Sequence, residues 1–339
     1  MKFKAKALAG AATLALLSAA PVMAQDVAAC LITKTDTNPV FVKMKEGAEA
    51  AATAAGLDFQ AYAGEKDGDA APQITAIENC VAAGAKGILI TASNDSVAPA
   101  LKDARAAGIL VIALDTPIAD PEAQDMTFAT DNFEAGILIG KWAAATLGAE
   151  AANAKIAMLN INKDNISVDV QRNTGFLTGF GITVPDLTVM DSEDDPRVIG
   201  HESSDANPEG GLRAMETLLA KDPDINVVYT INEPAAEGAY QALKNAGKEG
   251  QAIIVSVDGG CPGVASVQSG VIGATSQQYP LLMASKGIEA IAAFAKDGTK
   301  PAASDGLTFF NTGVNLVTDK PAEGVTSIDS TKGTELCWG

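Results

Sequence analysis

The sequence predicts an α/β protein of two lobes, each a parallel sheet flanked by helices. Three observations lead there. Short runs rich in Val, Ile, Leu and Ala alternate with stretches whose apolar residues return at helical spacing. The strand-like runs are apolar on both faces, as a sheet covered by helices on each side requires. After a proline-bearing loop at 115–125, the same alternation starts again as a second series. A further regularity bears on function: run after run ends in a polar residue that opens a helix-like stretch, as at Asn38, Asp115, Asn232 and Asp258. In an open α/β sheet such strand ends line one crevice, where ligands bind.

In chain order, residues 1–24 stand apart from the fold. Lys2, Lys4 and Lys6 precede a small and apolar run at 7–20, and Val22, Met23 and Ala24 fit a small-x-small cleavage site. This is the pattern of a secretory signal peptide. The first series then reads as strand 27–33, helix 39–55, strand 57–63, helix 73–83, strand 87–91, helix 96–107 and strand 109–114. Val40, Met44, Ala48, Ala51 and Ala55 share one face of the first helix. Gly56, Gly84 and Gly108 stand where helices close in the left-handed region. Residues 126–130 read as a strand crossing out of this lobe.

The second series runs through helix 133–147, strand 155–160, helices 168–181 and 209–220, strand 227–231, helix 235–246 and strand 253–257. The acidic stretch at 191–195 reads as a solvated loop. A strand at 271–276, a long helix at 279–296 and a short strand at 314–318 precede an irregular tail. Placing this last strand and helix requires the chain to cross between lobes more than once.

Bulk properties narrow the function. The chain carries 24 basic and 42 acidic residues, a charge of −18; loss of the leader's three lysines leaves 21 basic residues and −21. Such a chain repels nucleic acid and anionic membranes. It has no basic patch with interleaved aromatics, so nucleic-acid binding is rejected. No segment beyond the leader reaches about 18 consecutive apolar residues, so no membrane anchor is expected. Val27-Ala28-Ala29-Cys30 loosely resembles a lipidation site, but Gln25 and Asp26 break the apolar run before it. Four cysteines remain, and export permits disulfides. In a 2-1-3 strand order the second helix crosses over the first strand, which favours Cys30–Cys80 and leaves Cys261–Cys337. Four buried thiols are the competing reading.

Catalytic readings are weak. His201 is the only histidine, placed near a loop, and it cannot build a zinc site alone; no CxxC, HExxH or GxSxG is present. Neither a metal nor a cofactor is expected. Asn160, Asn162 and Asp164 have calcium-loop spacing, but Asn165 stands where glycine is needed and Gln171 where glutamate is needed. Asp115 and Asp258 could serve as a carboxylate pair for glycoside hydrolysis, yet such pairs also bind sugar hydroxyls. A carbohydrate site explains the polar set better. Asp115 and Asp258 accept from hydroxyls, Arg172 forks to oxygens, Asn232 and Gln278 offer both donor and acceptor, and Phe41 can stack on a sugar face. The competing role for Asn38 and Asn232 is helix capping.

Thr37-Asn38-Pro39-Val40-Phe41, Val111-Ile112-Ala113-Leu114-Asp115, Ala129-Thr130-Asp131-Asn132 and Val255-Ser256-Val257-Asp258-Gly259 resemble the landmarks of periplasmic sugar-binding proteins of ABC importers, the ribose-binding type I group. CLITKTDTNP, TINEPAA, VSVDGGCPG, GATSQQYP and the terminal CWG are similar to rhizobial-type fructose-binding proteins. The resemblance covers essentially the whole mature chain. It implies two Rossmann-like lobes joined by a three-segment hinge, with lobes at 25–130 plus 279–313 and at 131–278 plus 314–339. It implies a periplasmic monomer of a Gram-negative bacterium that binds a monosaccharide and docks on a membrane permease. By position, Asn38, Phe41, Asp115 and Thr116 come from the first lobe, Arg172, Asn232 and Asp258 from the second, and Gln278 from a hinge crossing. Lys34 stands where ribose binders have a small hydroxyl residue. Val40 replaces one of two adjacent aromatics, and Ala206 replaces another, with Asn207 beside it. These departures imply fructose over ribose. The Cys261–Cys337 pairing also fits that group. A sugar sensor feeding a chemoreceptor or kinase ectodomain, and a secreted carbohydrate-active enzyme, are the alternative roles.

Overall fold

The computed structural model describes residues 28–339 apart from Asp67. The expected signal peptide therefore lies outside the described residues. The first half comprises β1 (Ala28–Thr33), α1 (Pro39–Ala55), β2 (Asp58–Ala63), α2 (Ala71–Ala82), β3 (Gly87–Ile90), α3 (Ala98–Ala106), β4 (Leu110–Leu114) and β5 (Met126–Ala129). The second half comprises α4 (Asn132–Leu147), β6 (Ile156–Asn160), α5 (Ser167–Phe180), β7 (Val198–Ser203), α6 (Pro208–Lys221), β8 (Val227–Thr230), α7 (Glu233–Asn245), β9 (Ile253–Asp258), α8 (Cys261–Gln268) and β10 (Ala274–Gln277). Last come α9 (Pro280–Asp297), β11 (Phe310–Asn311), β12 (Asn315–Val317) and α10 (Ser330–Leu336).

Two sheets result, with the orders β11-β5-β4-β3-β1-β2 and β12-β10-β9-β8-β6-β7. Both contain the doubly wound order 2-1-3-4-5, and among the described residues only the β10–β12 pair is antiparallel. The fold class is thus the one read from the two-faced apolar strands. Each sheet is buried on both sides. Ile77, Cys80 and Leu101 of α2 and α3 cover one face of the first sheet; Met44 and Ile288 of α1 and α9 cover the other. Trp142 and Phe176 of α4 and α5 cover one face of the second sheet; Met215, Ala239 and Val264 of α6, α7 and α8 cover the other. The chain passes between the sheets after β5, after β10 and between β11 and β12.

Both cysteine pairs are bonded: Cys30 of β1 to Cys80 of α2, and Cys261 of α8 to Cys337 after α10. The first follows from β2-β1-β3 order, which lays α2 over β1.

Several sequence expectations need correction. Residues 126–129 form an interior strand paired with both β4 and β11, so the crossing begins after them. His201 sits within β7, an edge strand that hydrophobic pattern did not reveal because all six of its residues are only half-buried. The tail is not irregular throughout: α10 packs beside α8, itself a helix unread in the sequence. The acidic stretch is not uniformly solvated. The Asp191 side chain is 75% exposed, whereas that of Glu193 is 2% exposed and bonded to His201.

Candidate functional site

The strand ends of both sheets meet around one cavity of about 60 Å³. From the first sheet's side it is lined by Lys34, Asn38, Val40, Phe41 and Asp115; from the second by Arg172, Ala206, Asn232 and Asp258, with Gln278 from a crossing. Eight of the ten sequence-predicted ligand residues therefore converge. Thr116 and Asn207 do not; they line a neighbouring cleft of about 660 Å³ that also carries Asp95 and Asp164.

Local backbone chemistry sets each position. Asn38 caps α1, its side-chain oxygen accepting from Val40 N at 3.0 Å, and Pro39 fills the first helical position. Phe41 follows in the first turn and is buried. Asp115, directly after β4, adopts φ 64°, a left-handed conformation that turns the chain sharply out of the strand. One of its carboxylate oxygens accepts from Thr116 Oγ1 at 3.1 Å; the other is buried without a hydrogen-bond partner. Asn232 caps α7 through Ala235 N and donates to Ala206 O at 3.0 Å. Asn207 is spent in the same way, capping α6 through Gly210 N and donating to Asp205 O. Capping and lining thus coexist in Asn38 and Asn232, while Asn207 caps away from the cavity.

Arg172 is the electrostatic centre. It is 5% exposed, and its Nε donates to Asn132 Oδ1 at 2.8 Å and its Nη1 to Ile231 O at 3.0 Å. These bonds hold the guanidinium 4.0 Å from Asp115 and 3.7 Å from Asp258. Both ion pairs are at the outer limit of contact, which leaves guanidinium and carboxylate edges directed at the cavity. Asp258 is further held by Gln278 Nε2 at 2.7 Å. Burial raises the Asp258 carboxyl above its usual range, opposed by Arg172 and Gln278 and aided by the Asp115 charge. Lys34 is 3% exposed, with its backbone N–H donated to Thr91 Oγ1.

Three contributors escaped the sequence reading. Asn132 orients Arg172. Asp169 lies one turn before Arg172 on α5, wholly buried. Glu233 follows the capping Asn232 and accepts from Gly259 N, Gly260 N and Thr275 Oγ1. Each resembles an ordinary first-turn or cap residue in sequence, and no local signal separates it from one.

Among the described residues, Asp191, Glu193 and His201 are close enough together to hold a metal ion. However, Asn160 Nδ2 lies 2.9 Å from His201 Nδ1, which leaves Nε2–H to donate to Glu193 Oε1 at 2.6 Å. A metal-ligating histidine donates its remote N–H to an acceptor. Here a donor occupies that side, and the group reads as a hydrogen-bonded histidine–carboxylate pair.

Comparison with known proteins gives a consistent picture. The family described as periplasmic binding protein domain matches residues 27–300. The ribose import binding protein RbsB of Haemophilus influenzae is 31% identical over 286 residues, 84% of this chain and 91% of that one. The D-allose-binding periplasmic protein of Escherichia coli is 26% identical over 79% of this chain and 84% of its own length. Among solved structures, an ABC transporter solute-binding protein of Actinobacillus succinogenes with bound D-allose superposes with a TM-score of 0.75 at 22% identity, covering 91% of this chain and all of that one. A solute-binding protein of Agrobacterium vitis with bound D-fucose gives 0.74 at 24% identity, over 92% of this chain and all of that one. At that identity the two structures speak for the fold.

Proposed function

The chain belongs to the periplasmic binding protein family, and from that membership we propose that it binds one monosaccharide, D-fructose ahead of ribose or mannose, and delivers it to the permease of an ABC importer. The observation that carries this reading is the division of one polar set between two sheets. Asn38, Phe41 and Asp115 face Arg172, Asn232 and Asp258 across a single cavity. Neither half could satisfy a sugar's hydroxyls alone. A ligand that bridges both binds the closed arrangement better than the open one and shifts the population toward it.

The lobes that close are 25–130 with 279–313 and 131–278 with 314–339. Carboxylates and guanidinium held at 3.7–4.0 Å suit intervening hydroxyls, which donate to Asp115 and Asp258 and accept from Arg172. Phe41 offers a ring to the apolar sugar face. Asp115, Arg172, Asn232 and Asp258 are buried between the two sheets, so a sugar enters when the sheets part and close again. Val40 and Ala206, small where related binders carry aromatics, reshape the wall in favour of fructose. The protein acts as a periplasmic monomer, and its excess of acids favours basic loops on the permease.

Thermal-shift screening against fructose, ribose, mannose, allose, glucose, galactose and xylose tests this. Fructose should give the largest rise in Tm. By calorimetry, Arg172→Ala and Asp258→Ala should each weaken its binding by about 1–3 kcal/mol, because each leaves buried partners unpaired. No shift with any monosaccharide would end the transport reading; a larger shift with another sugar would end the fructose assignment.

A further inference from the structure

Glu233 does not line the 60 Å³ cavity, yet its carboxyl group reaches the turn that follows Asp258. Its carboxyl group accepts from Gly259 N at 2.8 Å and Gly260 N at 3.1 Å, the two residues after Asp258. It also accepts from Thr275 Oγ1 at 2.8 Å, on the strand that ends just before Gln278. Its own residue follows Asn232 directly. The contact is reciprocal, since the Glu233 backbone N–H faces the Asp258 carboxylate. Asp258 in turn accepts from Gln278 through both its backbone oxygen, at 2.9 Å, and its side chain, at 2.7 Å. Neighbouring Gln277 closes the network by donating to Gly259 O at 2.9 Å and Gly333 O at 3.0 Å.

The backbone here needs holding. Asp258 sits at φ 146°, a conformation that an L residue seldom adopts, and Gly259 follows at φ 71°, which glycine alone takes without strain. The fit around Glu233 is close. A Cβ added at Gly263, in the first turn of α8, would lie 1.8 Å from the Glu233 Cδ and 2.0–2.1 Å from its carboxyl oxygens. Absence of a side chain at Gly263 is what admits the carboxyl group to the turn.

We propose that Glu233 is a positioning residue of the ligand site: its carboxyl group clasps the turn after β9 and so sets Asp258 relative to Asn232 and Gln278. This rests on the sugar-site reading above. Burial raises the Glu233 carboxyl well above its usual range, with the adjacent Asp258 charge adding to the effect. All three contacts donate to the Glu233 oxygens, so glutamine, with one acceptor oxygen, can keep the bonds from Gly259 and Thr275 and loses that from Gly260, whereas alanine loses all three.

The test has two readouts. Hydrogen exchange at Gly259 and Gly260, measured without sugar, should accelerate about tenfold or more in Glu233→Ala and in Gly263→Ala, while in Glu233→Gln it should stay near wild type at Gly259 and rise at Gly260 alone. Affinity for D-fructose, or for whichever monosaccharide shifts the wild type most, should fall about tenfold in the same two variants and less than about threefold in the glutamine variant. Alanine is otherwise a better helix former than glycine, so a loss in Gly263→Ala reports the collision with Glu233. Combining Gly263→Ala with Glu233→Ala should therefore cost no more than Glu233→Ala alone. Unchanged exchange in Glu233→Ala, additive losses in the double variant, or a glutamine variant as impaired as alanine would each overturn the proposal. Wild-type protein that binds no monosaccharide would refute the sugar reading instead, while the exchange data would still decide the clasp.

Discussion

Asp169 shows at the residue scale what burial does to an acid that sequence reads as routine. It lies in the first turn of α5, accepts from Ile161 N at 2.7 Å through one oxygen, and leaves the other buried without a partner. Burial pushes its carboxyl up to about 7, against the pull of that N–H and of Arg172. The sign of the consequence follows directly. Between the unfolded value of 3.8 and the folded value of about 7, the folded chain binds the extra proton, so stability falls as pH rises through that window. The fall is absent below about pH 4 and complete above about pH 7, and for one group reaches up to about 4 kcal/mol. Chemical denaturation of wild type and Asp169→Asn between pH 4 and 8 should show the variant with the flatter profile. Equal slopes would mean that Asp169 stays ionised. Nothing local in the sequence marks this acid, because an aspartate in a first helical turn is ordinarily a solvated partner of the helix dipole.

At the scale of elements, the position of Arg172 depends on how closely α4 and α5 approach. Gly136 and Gly140 of α4 meet Gly175 and Gly179 of α5 backbone to backbone. A Cβ at Gly136 would lie 2.3 Å from Arg172 O, and one at Gly140 would lie 2.2 Å from Phe176 O. Neither contact can be relieved by a side-chain rotation. Gly136→Ala should therefore push α5 outward and carry Arg172 with it, destabilising the fold by about 1–3 kcal/mol and weakening sugar binding as well. Denaturant titration and calorimetry on the same variant would check both effects, and a change in neither would show that the helices separate freely. The four-residue glycine spacing is visible in the sequence. What it packs against is not, since the same spacing suits any close helix neighbour. Elements with strong period were legible: α1, α9 and the central strands fall within a few residues of expectation. Edge strand β7 and the short helices α8 and α10 were not, because brief or half-exposed segments carry too few apolar residues to set a period.

For the whole molecule, the C-terminal tail joins the two lobes at a point that no element alone reveals. Cys337 is bonded to Cys261 of the second lobe, and the adjoining Trp338 pairs with Gly260 there. Its ring nevertheless packs in the cluster of Val40, Phe41, Met44 and Met283 on the first sheet, and its Nε1 donates to Gln278 O at 2.8 Å. An aromatic carried by one sheet's side thus backs the cavity wall of the other, next to a crossing. Cys261 and Cys337 are both partly exposed, whereas Cys30 and Cys80 are fully buried. Mild reduction followed by alkylation mapping should open Cys261–Cys337 first. Replacing both of its cysteines by serine should lower stability by about 3–5 kcal/mol, as expected for release of a loop of 76 residues. Opening of the buried pair first would show that the tail protects its own bond.

Sequence alone determined the α/β class, the doubling of the strand–helix series and most of the polar residues at the strand ends. These rest on hydrophobic period, helix closure by glycine and capping chemistry, all of which act within a few residues. Tertiary structure alone decided which of those polar groups share a cavity, and it separated Asn207 and Thr116 from the rest. It also decided that the buried Asp169 and Asn132 and the half-buried Glu233 support the site. Burial and the spending of a hydrogen bond are set by segments distant in the chain, brought together only when both sheets and the tail have packed.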